Sequence, residues 1–398
     1  MNMWFFGDNS GIGTIIWVVL LLIMIFLGPR LMFYQIFWKL DQAANMFESL
    51  TVGAKRIVLR KVSKNPTKEL KDSINHFLEF FVIEPVSLDP YGIIRKIEHI
   101  HVLSEKKFKY FVKNIAPQMN PEEQANLIMG LSGAISLNQI AKIVRHFVEL
   151  IRKTKNLQLA LLLQLQLSLI ERISQALLKG TEALTNGWPI GDSIGPLVAA
   201  KIIGSTKTKE IEEDVLMSRK KIKGRDVLVL KAKGPGGRLG KLGRAVDKLI
   251  RKEKIAKVIT IDAAAKLEGE KTGSIAEGIG VAIGGLGVDR AYIEDITTRK
   301  NIPLDSIVIK MSQEEAILPM KQEILHSTPR VMKLVEDNIA RTSEKGKIIL
   351  VGVGNTSGVG NDKKAAEDAE IQIKKNIEMM KQREQKEKKE YRFFLEKQ

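Results

Sequence analysis

The chain has 398 residues, a formal net charge of +17, 44% hydrophobic residues and no cysteine. This length allows two or three domains, and the hydrophobic content excludes a wholly disordered chain. The absence of cysteine excludes disulfides, thiolate metal sites and cysteine nucleophiles. The five histidines include no HExxH pair of the kind that indicates a zinc hydrolase.

The N-terminal segment predicts a membrane anchor. No charged residue lies between Asn9 and Pro29, and residues 12–27 read IGTIIWVVLLLIMIFL. About 20 apolar helical residues cross the ~30 Å hydrocarbon layer of a bilayer. A cleavable signal peptide is the alternative, but basic residues before the run and a small-residue cleavage site after it are both missing. We expect residues 1–40 to form the anchor, with residues 10–38 contacting membrane lipid.

The charges that flank this segment predict its orientation. No Lys or Arg precedes the apolar run, whereas Arg30, Lys39 and Lys55 follow it. The positive-inside rule places the basic side in the cytoplasm. The sequence therefore predicts a single-pass protein of the cell membrane with its N-terminus outside and its bulk in the cytoplasm.

Residues 41–186 predict an all-α domain. Apolar residues recur at intervals of three and four, as in IAKIVRHFVELIRK over residues 140–153. Helix starts are predicted at Asn65-Pro66, Asp89-Pro90 and Asn120-Pro121, because Asn or Asp caps a helix and proline suits its first turn.

Residues 187–361 predict an α/β domain. Four β-branched runs, each fairly continuously apolar, indicate strands covered on both faces: residues 226–232, 257–263, 306–311 and 347–354. Helical or glycine-rich connections separate them, so we expect a three-layer domain with a mostly parallel sheet. Active sites in such sheets gather at the carboxyl ends of the strands, where Asp262 and the glycine loop after residue 353 lie.

The strings GDSIGPLVAAKI (191–202) and KGPGGRLGKLGRAVDKLI (233–250), followed by KVITIDAAAKLE (257–268), carry a resemblance to a known fold group. In this order they resemble the spore germination proteases, which share a general fold with the hydrogenase-maturation endopeptidases. The resemblance implies peptide-bond cleavage, or a bound divalent metal ion, with Asp192 and Asp262 as the paired acids. The whole chain also resembles an archaeal group of membrane-anchored proteins without an assigned function.

The chain departs from that fold group in two places. The relatives have a strand ending in a G-x-G-N loop before the first acid, whereas here GVGN occurs at residues 352–355, near the end of the domain. We hypothesise a circular permutation in which residues 347–354 supply the displaced strand and bring Asn355 beside Asp192. The loop GIGVAIGGLGVDR, residues 278–290, lacks the proline of the corresponding loop in the relatives.

Two further groups of residues are candidates for the site. Gly234, Gly236, Gly237 and Arg238 could form a phosphate-binding or pocket loop at a helix N-terminus, although tight turning explains these glycines equally well. Candidate pocket-lining residues are Glu268, Glu270, Lys271 and Gly354, and a solvated loop is the alternative for the charged three. Asp192 could equally be the N-cap of the following helix.

The sequence leaves three functions open. The leading interpretation is a membrane-anchored peptidase or hydrolase that uses Asp192 and Asp262, with Asn355 as a polar neighbour and a peptide or protein as partner. The second is a non-catalytic membrane-tethered scaffold. The third, which we disfavour, is a nucleic-acid or anionic-lipid binder that uses residues 219–257, where 15 Lys and Arg face three acids. Residues 362–398 predict a charged helical tail.

Overall fold

A computed structural model describes residues 11–85, 92–281 and 287–395. The predicted helix start at Asp89-Pro90 and the middle of the loop 278–290 lie outside these residues. The helices are α1 Gly11–Val62, α2 Lys68–Phe77, α3 Ile93–Ile115, α4 Pro121–Thr154, α5 Leu157–Asn186, α6 Ile194–Ile203, α7 Leu242–Lys252, α8 Val288–Arg299, α9 Gln313–Ile317, α10 Gln322–Ala340 and α11 Lys363–Leu395. The strands are β1 Thr208–Glu212, β2 Val215–Ile222, β3 Arg225–Ala232, β4 Ile255–Ala265, β5 Ile275–Ile279, β6 Leu304–Met311 and β7 Lys347–Gly352.

Helix α1 joins the apolar N-terminal segment to the helical domain without a break. Its first part is long and apolar enough to cross a membrane, and its side chains over residues 15–27 are exposed. A signal sequence would meet the same criterion. A boundary at residue 40 is wrong as a structural division, because Phe33, Ile36 and Leu40 are buried in the helical core. Helix α4 also has the length and hydropathy of a span, but it is the central helix of the bundle.

The helical domain packs α1, α4 and α5 around two apolar clusters. Asn120 caps α4 as predicted. Its side chain accepts hydrogen bonds from the backbone amides of Glu122 and Glu123, and its own backbone amide donates to the Glu123 carboxylate. The predicted start at Asn65 is two residues early, since Thr67 caps α2. The domain ends at Gly187, which is in the left-handed region with a φ of 67°.

The second domain is a seven-stranded mixed sheet with the order β1-β2-β3-β7-β4-β6-β5. The four predicted strands are β3, β7, β4 and β6, and they form its parallel centre. The expectation of a mostly parallel sheet is wrong at both edges, where β1, β2 and β5 pair antiparallel. The polar strand TKEIE over residues 208–212 and the lysine-rich end of β2 lack the apolar run that revealed the other four.

Helices cover the sheet on both faces. On one face α6, α10 and α11 pack against the strands, and on the other face α7 and α8 do so. The start of α11 belongs to this domain, because Ala366, Ala369 and Ile373 are buried in its core. A solvent-exposed tail beginning at residue 362 is therefore wrong for its first three turns. Strand β7 lies between β3 and β4 in the centre of the sheet.

Gly195 sets how closely α6 approaches the sheet. A Cβ atom there would lie 2.1 Å from the Val353 carbonyl oxygen and 2.6 Å from the Ile261 carbonyl oxygen. Gly195→Ala should therefore destabilise the protein by about 1–3 kcal/mol, because backbone atoms of two central strands cannot move aside. Urea unfolding of the detergent-solubilised chain measures this change in the free energy of unfolding.

Gly53→Ala in α1 is the matched control. Its Cβ would contact only the flexible end of Leu178, at 3.3 Å, and alanine favours a helix by up to about 1 kcal/mol over glycine. We expect this variant to be neutral or slightly stabilised. Equal losses in the two variants would contradict the close packing of α6 on the sheet.

Candidate functional site

A cavity of about 430 Å³ lies between the two domains, at the carboxyl ends of β4 and β7. Asp192, Asp262 and Gly354 all line it, so the structure brings these three predicted residues together. The opposite wall comes from α3 and from the segments that precede α7 and α8. Its position at the carboxyl edge of the parallel strands is where ligands bind in open α/β sheets.

Asp262 is buried inside the sheet, with 3% of its surface exposed. It occupies the same face of β4 as Val258 and Thr260, because side chains alternate along a strand. Its Oδ1 accepts a hydrogen bond of 2.7 Å from the Ala263 amide, whereas its Oδ2 has no partner among the described residues. Burial, and secondly the negative charge of Asp192, raises the pKa of Asp262 well above its usual value.

Asp192 lies in a 3-10 turn, Gly191–Ser193, that leads into α6. Its Oδ2 accepts a hydrogen bond of 2.7 Å from the Asn355 amide. Burial raises the pKa of Asp192, and this hydrogen bond partly opposes the rise. Asp192 does not cap α6, because Ser193 occupies the N-cap position. The capping alternative is therefore wrong.

Gly354 makes the approach of β7 to Asp192 sterically feasible. It has a φ of +124°, and a Cβ there would lie 2.0 Å from the Asp192 carbonyl oxygen. Asn355 meets Asp192 through its backbone amide only. The Asn355 side chain accepts a hydrogen bond from the Ser357 amide and contacts the Met129 sulfur, so it shapes the loop.

The sequence did not reveal the residues that close the cavity. His101 and Glu105 come from α3. The His101 Nε2 lies 3.2 Å from Glu105 Oε1, and the hydrogen bond that the ring donates to this carboxylate raises the pKa of His101. Asp289 lies in the first turn of α8, and burial raises its pKa although its Oδ1 accepts a hydrogen bond from the Gly243 amide. The only signal available was an acid beside the glycine loop 278–290.

The glycine loop after β3 has a different role from the predicted phosphate site. The amides of Gly234, Gly236 and Gly237 donate to the side chains of Asn361, Glu122 and Asn126 respectively. The guanidinium of Arg238 is mostly buried between Glu122 and Asp214. The loop amides and the guanidinium therefore already have protein partners. Those from Glu122 and Asn126 connect the start of α4 to the sheet domain. The loop does not present free amides to phosphate.

The three charged pocket-lining candidates lie in the turn after β4, outside the set of residues that lines the cavity. Glu268 and Lys271 are exposed there. Glu270 forms an ion pair with Lys310 and accepts the Leu267 amide. These three residues therefore belong to a solvated loop, the alternative that the sequence left open, and do not line the cavity.

A divalent metal would have to bind through Asp192 and Asp262 alone. Over residues 11–85, 92–281 and 287–395, no group of three or more His, Asp or Glu is arranged to hold a metal ion. The free Oδ2 of Asp262 supplies one oxygen ligand, but Oδ2 of Asp192 already accepts an amide. The two carboxyls therefore offer fewer free oxygen ligands than a divalent metal usually takes.

Two family models together match most of the chain. Residues 14–187 match the model described as the N-terminal domain of a protein of unknown function, DUF1512. Residues 190–360 match the model described as the C-terminal domain of unknown function of DUF1512. The boundary between them falls at the turn that follows Gly187. No curated protein and no solved structure matches the chain.

Removing the acid of Asp262 should stabilise the protein at neutral pH. A carboxyl whose pKa is raised by folding destabilises the folded state above the usual value of 3.8, because the unfolded chain ionises more readily. Asp262→Asn should therefore raise the melting temperature at pH 7. This gain should shrink as the pH falls to 3.8 and disappear below it.

Scanning calorimetry across this pH range makes the comparison. Asp226→Asn is the matched control, since Asp226 is exposed on β3 far from the cavity. The control should show no gain that depends on pH in this way. A loss of stability in Asp262→Asn at pH 7 would show that the carboxyl is charged and has favourable partners.

Proposed function

We propose that this chain, which belongs to the DUF1512 family, is a membrane-anchored hydrolase that cleaves peptide bonds in the cavity between its two domains. One observation carries the proposal. Asp262 is a buried carboxyl with one unpartnered oxygen, and it shares a cavity with a second carboxyl, Asp192. An uncompensated buried acid destabilises a fold, and such groups concentrate at functional sites.

The two acids differ in a way that assigns their roles. Burial and the charge of Asp192 raise the pKa of Asp262 well above its usual value, which favours its protonated form. Asp192 keeps a hydrogen bond from the Asn355 amide, which favours its ionised form. Neighbouring acids whose environments separate their pKa values form an acid and base pair. Asp262 is then the general acid and Asp192 the general base.

The reaction follows from these roles. Asp192 takes a proton from a water molecule, whose oxygen forms a bond to the carbonyl carbon of the peptide. Asp262 gives its proton to the carbonyl oxygen. When the tetrahedral intermediate breaks down, the C–N bond is cleaved and the proton held by Asp192 passes to the leaving amine. One hydroxyl of the intermediate returns its proton to Asp262 as the carbonyl group re-forms. The products are a carboxylic acid and an amine, so atoms and protons balance.

The sequence resemblance supports this assignment. GDSIGPL and ITIDAAA place Asp192 and Asp262 at the positions of the paired acids in the germination-protease and hydrogenase-maturation group. The central position of β7, with Asn355 bonded to Asp192, is the arrangement expected of a circularly permuted relative. The permutation, the protease fold and an archaeal source stay predictions.

The cell membrane is the proposed location. The exposed apolar start of α1 supplies the anchor, and the basic residues that follow it favour a cytoplasmic position for both folded domains. A peptide or protein that reaches the inner membrane face is the proposed substrate. The cavity of about 430 Å³ admits a short extended segment, not a folded chain.

The alternatives have less support. A scaffold with the same fold would gain nothing from an unpartnered acid in the sheet. The basic segment 219–257 does not form a free cationic face, because most of its charges pair with acids, as Arg219 does with Glu253 and Arg244 with Glu98. Lys231 within it is fully buried. Binding of nucleic acid through this segment is accordingly disfavoured.

Each acid should be required for cleavage. We expect Asp192→Asn and Asp262→Asn to lower the rate by about 10²–10⁴-fold, the usual contribution of a positioned acid or base. The measurement uses the full chain in lipid nanodiscs with a randomised peptide library, and mass spectrometry detects new termini. Addition of a chelator should leave the rate unchanged, because the proposed acid and base pair needs no metal.

Glu268→Gln is the matched control, since Glu268 is an exposed acid six residues beyond Asp262 and outside the cavity. It should cleave at the wild-type rate. Equal cleavage by the wild type and both aspartate variants, or none by the wild type, would overturn the hydrolase proposal. Loss of activity with the chelator would instead assign the carboxyl pair to a metal.

The orientation can be tested because the chain has no cysteine. Lys64→Cys places a single thiol at an exposed position just beyond the C-terminal end of α1. A membrane-impermeant maleimide should label this thiol in lysed cells and not in intact cells. Labelling in intact cells would place the bulk of the chain outside.

A further inference from the structure

A smaller cavity adjoins the one that Asp192 and Asp262 line. It has a volume of about 170 Å³ and lies where α3 and the start of α4 face the segment before α7. We call it the side pocket, and its lining includes Phe108, Ile128, Met129, Ser132 and Leu239. It lies directly beside the candidate site, because both cavities are lined by His101, Glu105, Leu239, Gly240 and Lys241.

Most of the surface that the side pocket offers to a ligand is apolar. The Phe108 ring packs edge-on against Phe77 and Phe80, with 5.0 Å and 5.5 Å between ring centres. Aromatic rings favour this arrangement, so Phe108 is held in place before any ligand binds. Ile128 and Met129 are half-buried, and each leaves apolar surface in the side pocket.

Leu239 presents further apolar surface between the two cavities. It is 49% exposed, and it lines both of them. Gly240 next to it adopts a φ of +65°, and a Cβ there would lie 2.7 Å from the Asp214 carbonyl oxygen. This tight turn fixes the place of the leucine in the wall.

The charged groups around the side pocket are paired with one another. Each cation of the lining binds an acid of the same lining, and the pairs are Lys109 and Lys241 with Glu213, Arg238 with Asp214, and His101 with Glu105. These pairs neutralise the charges that would otherwise select an acidic or basic side chain. Recognition therefore depends on the apolar surface.

The volume of the side pocket suits one large apolar side chain. An apolar cavity of ~150 Å³ in a protein holds a molecule the size of benzene. The side pocket, at about 170 Å³, therefore admits one leucine, methionine or phenylalanine side chain.

Met129 connects the side pocket to the proposed general base. Its sulfur lies 3.4 Å from the side-chain nitrogen of Asn355, which donates a hydrogen bond to it. The backbone amide of Asn355 in turn donates a hydrogen bond to Asp192. A side-chain group bound against Met129 is thus separated from Asp192 by a single residue.

We propose that the side pocket binds one large apolar side chain of the peptide substrate beside the bond that is cleaved. The substrate class is then a peptide with leucine, methionine or phenylalanine next to its scissile bond. The inference rests on the proposed hydrolase for the reaction, whereas the selectivity of the side pocket can be measured without cleavage.

The binding experiment uses the full chain in lipid nanodiscs and NMR of isotope-labelled methionine methyl groups. Met129→Leu assigns the signal of Met129, and Met320, which is buried outside both cavities, is the internal control. The probes are N-acetyl-leucine amide, N-acetyl-glycine amide and N-acetyl-lysine amide. We expect the leucine probe to shift the Met129 signal at a concentration at least about 10-fold lower than the other two, the usual discrimination of an apolar pocket.

Two substitutions test the side pocket directly. Ser132→Leu fills it, since Ser132 is a half-buried part of its lining, and should weaken binding of the leucine probe at least about 10-fold. Leu239→Ala removes apolar surface at a half-exposed position, where folding depends little on the side chain, and should weaken binding several-fold. Ser168→Leu makes the matched change at an exposed position of α5 and should bind as the wild type does.

Equal affinity for the three probes, or no shift of Met129 with the leucine probe, would overturn the proposal. Undiminished binding in both Ser132→Leu and Leu239→Ala would also overturn it. In the randomised peptide library, cleavage should fall next to large apolar residues, and cleavage without that preference would contradict the proposal. Selective binding of the leucine probe without cleavage of any peptide would support the side pocket and contradict the hydrolase alone.

Discussion

A carboxyl group inside an apolar sheet must lose its charge, find a partner or destabilise the fold. Asp262 is in this position, since β4 carries it on a buried face with Val258 and Thr260. Among the described residues, only the amide of Ala263 donates a hydrogen bond to its side chain, and Asp192, whose charge acts on it, has the same sign of charge. The arrangement opposes folding, and it stands at the carboxyl edge of the parallel strands, where the proposed hydrolase has its acid pair.

The rest of the structure holds this pair in a closed and fixed place. Gly195 and Gly354 let α6 and the loop after β7 approach closely enough to present Asp192. The glycine loop after β3 is bound by Glu122 and Asn126 at the start of α4, which fixes the helical domain over the sheet edge. Helices α1 and α4 then connect the cavity to the apolar segment. The apolar segment, the bundle and the cavity are therefore connected through one continuous set of elements.

Much of the architecture could be predicted from local patterns. The four central strands were recognisable because each is a β-branched run with both faces buried, and Asn120 was recognisable as a cap. The resemblance to the germination-protease group implied the pairing of Asp192 with Asp262, and the position of Asp262 at the carboxyl end of a buried strand could be predicted from the local pattern. The edge strands β1, β2 and β5 were missed. A strand with solvent-exposed side chains need not contain a continuous apolar run.

The remaining features depend on contacts between distant parts of the chain. The glycine loop has the composition of a phosphate cradle, and only the fold shows that Glu122 and Asn126 occupy its amides. His101 and Asp289 reach the cavity because α3 packs on α8, which no local pattern indicates. The burial of Ala366 and Ile373 likewise follows from the return of α11 to the sheet domain.

The protonation state of Asp262 is the most direct test of this account. Infrared difference spectroscopy of the full chain at pH 7, with Asp262→Asn as the reference, resolves the carbonyl stretch of a protonated carboxylic acid from that of a carboxylate. We predict a protonated-acid band in the wild type that is absent from the variant and disappears as the pH is raised further. A carboxylate band at pH 7 in its place would mean that Asp262 is ionised, and would contradict its role as the proton donor.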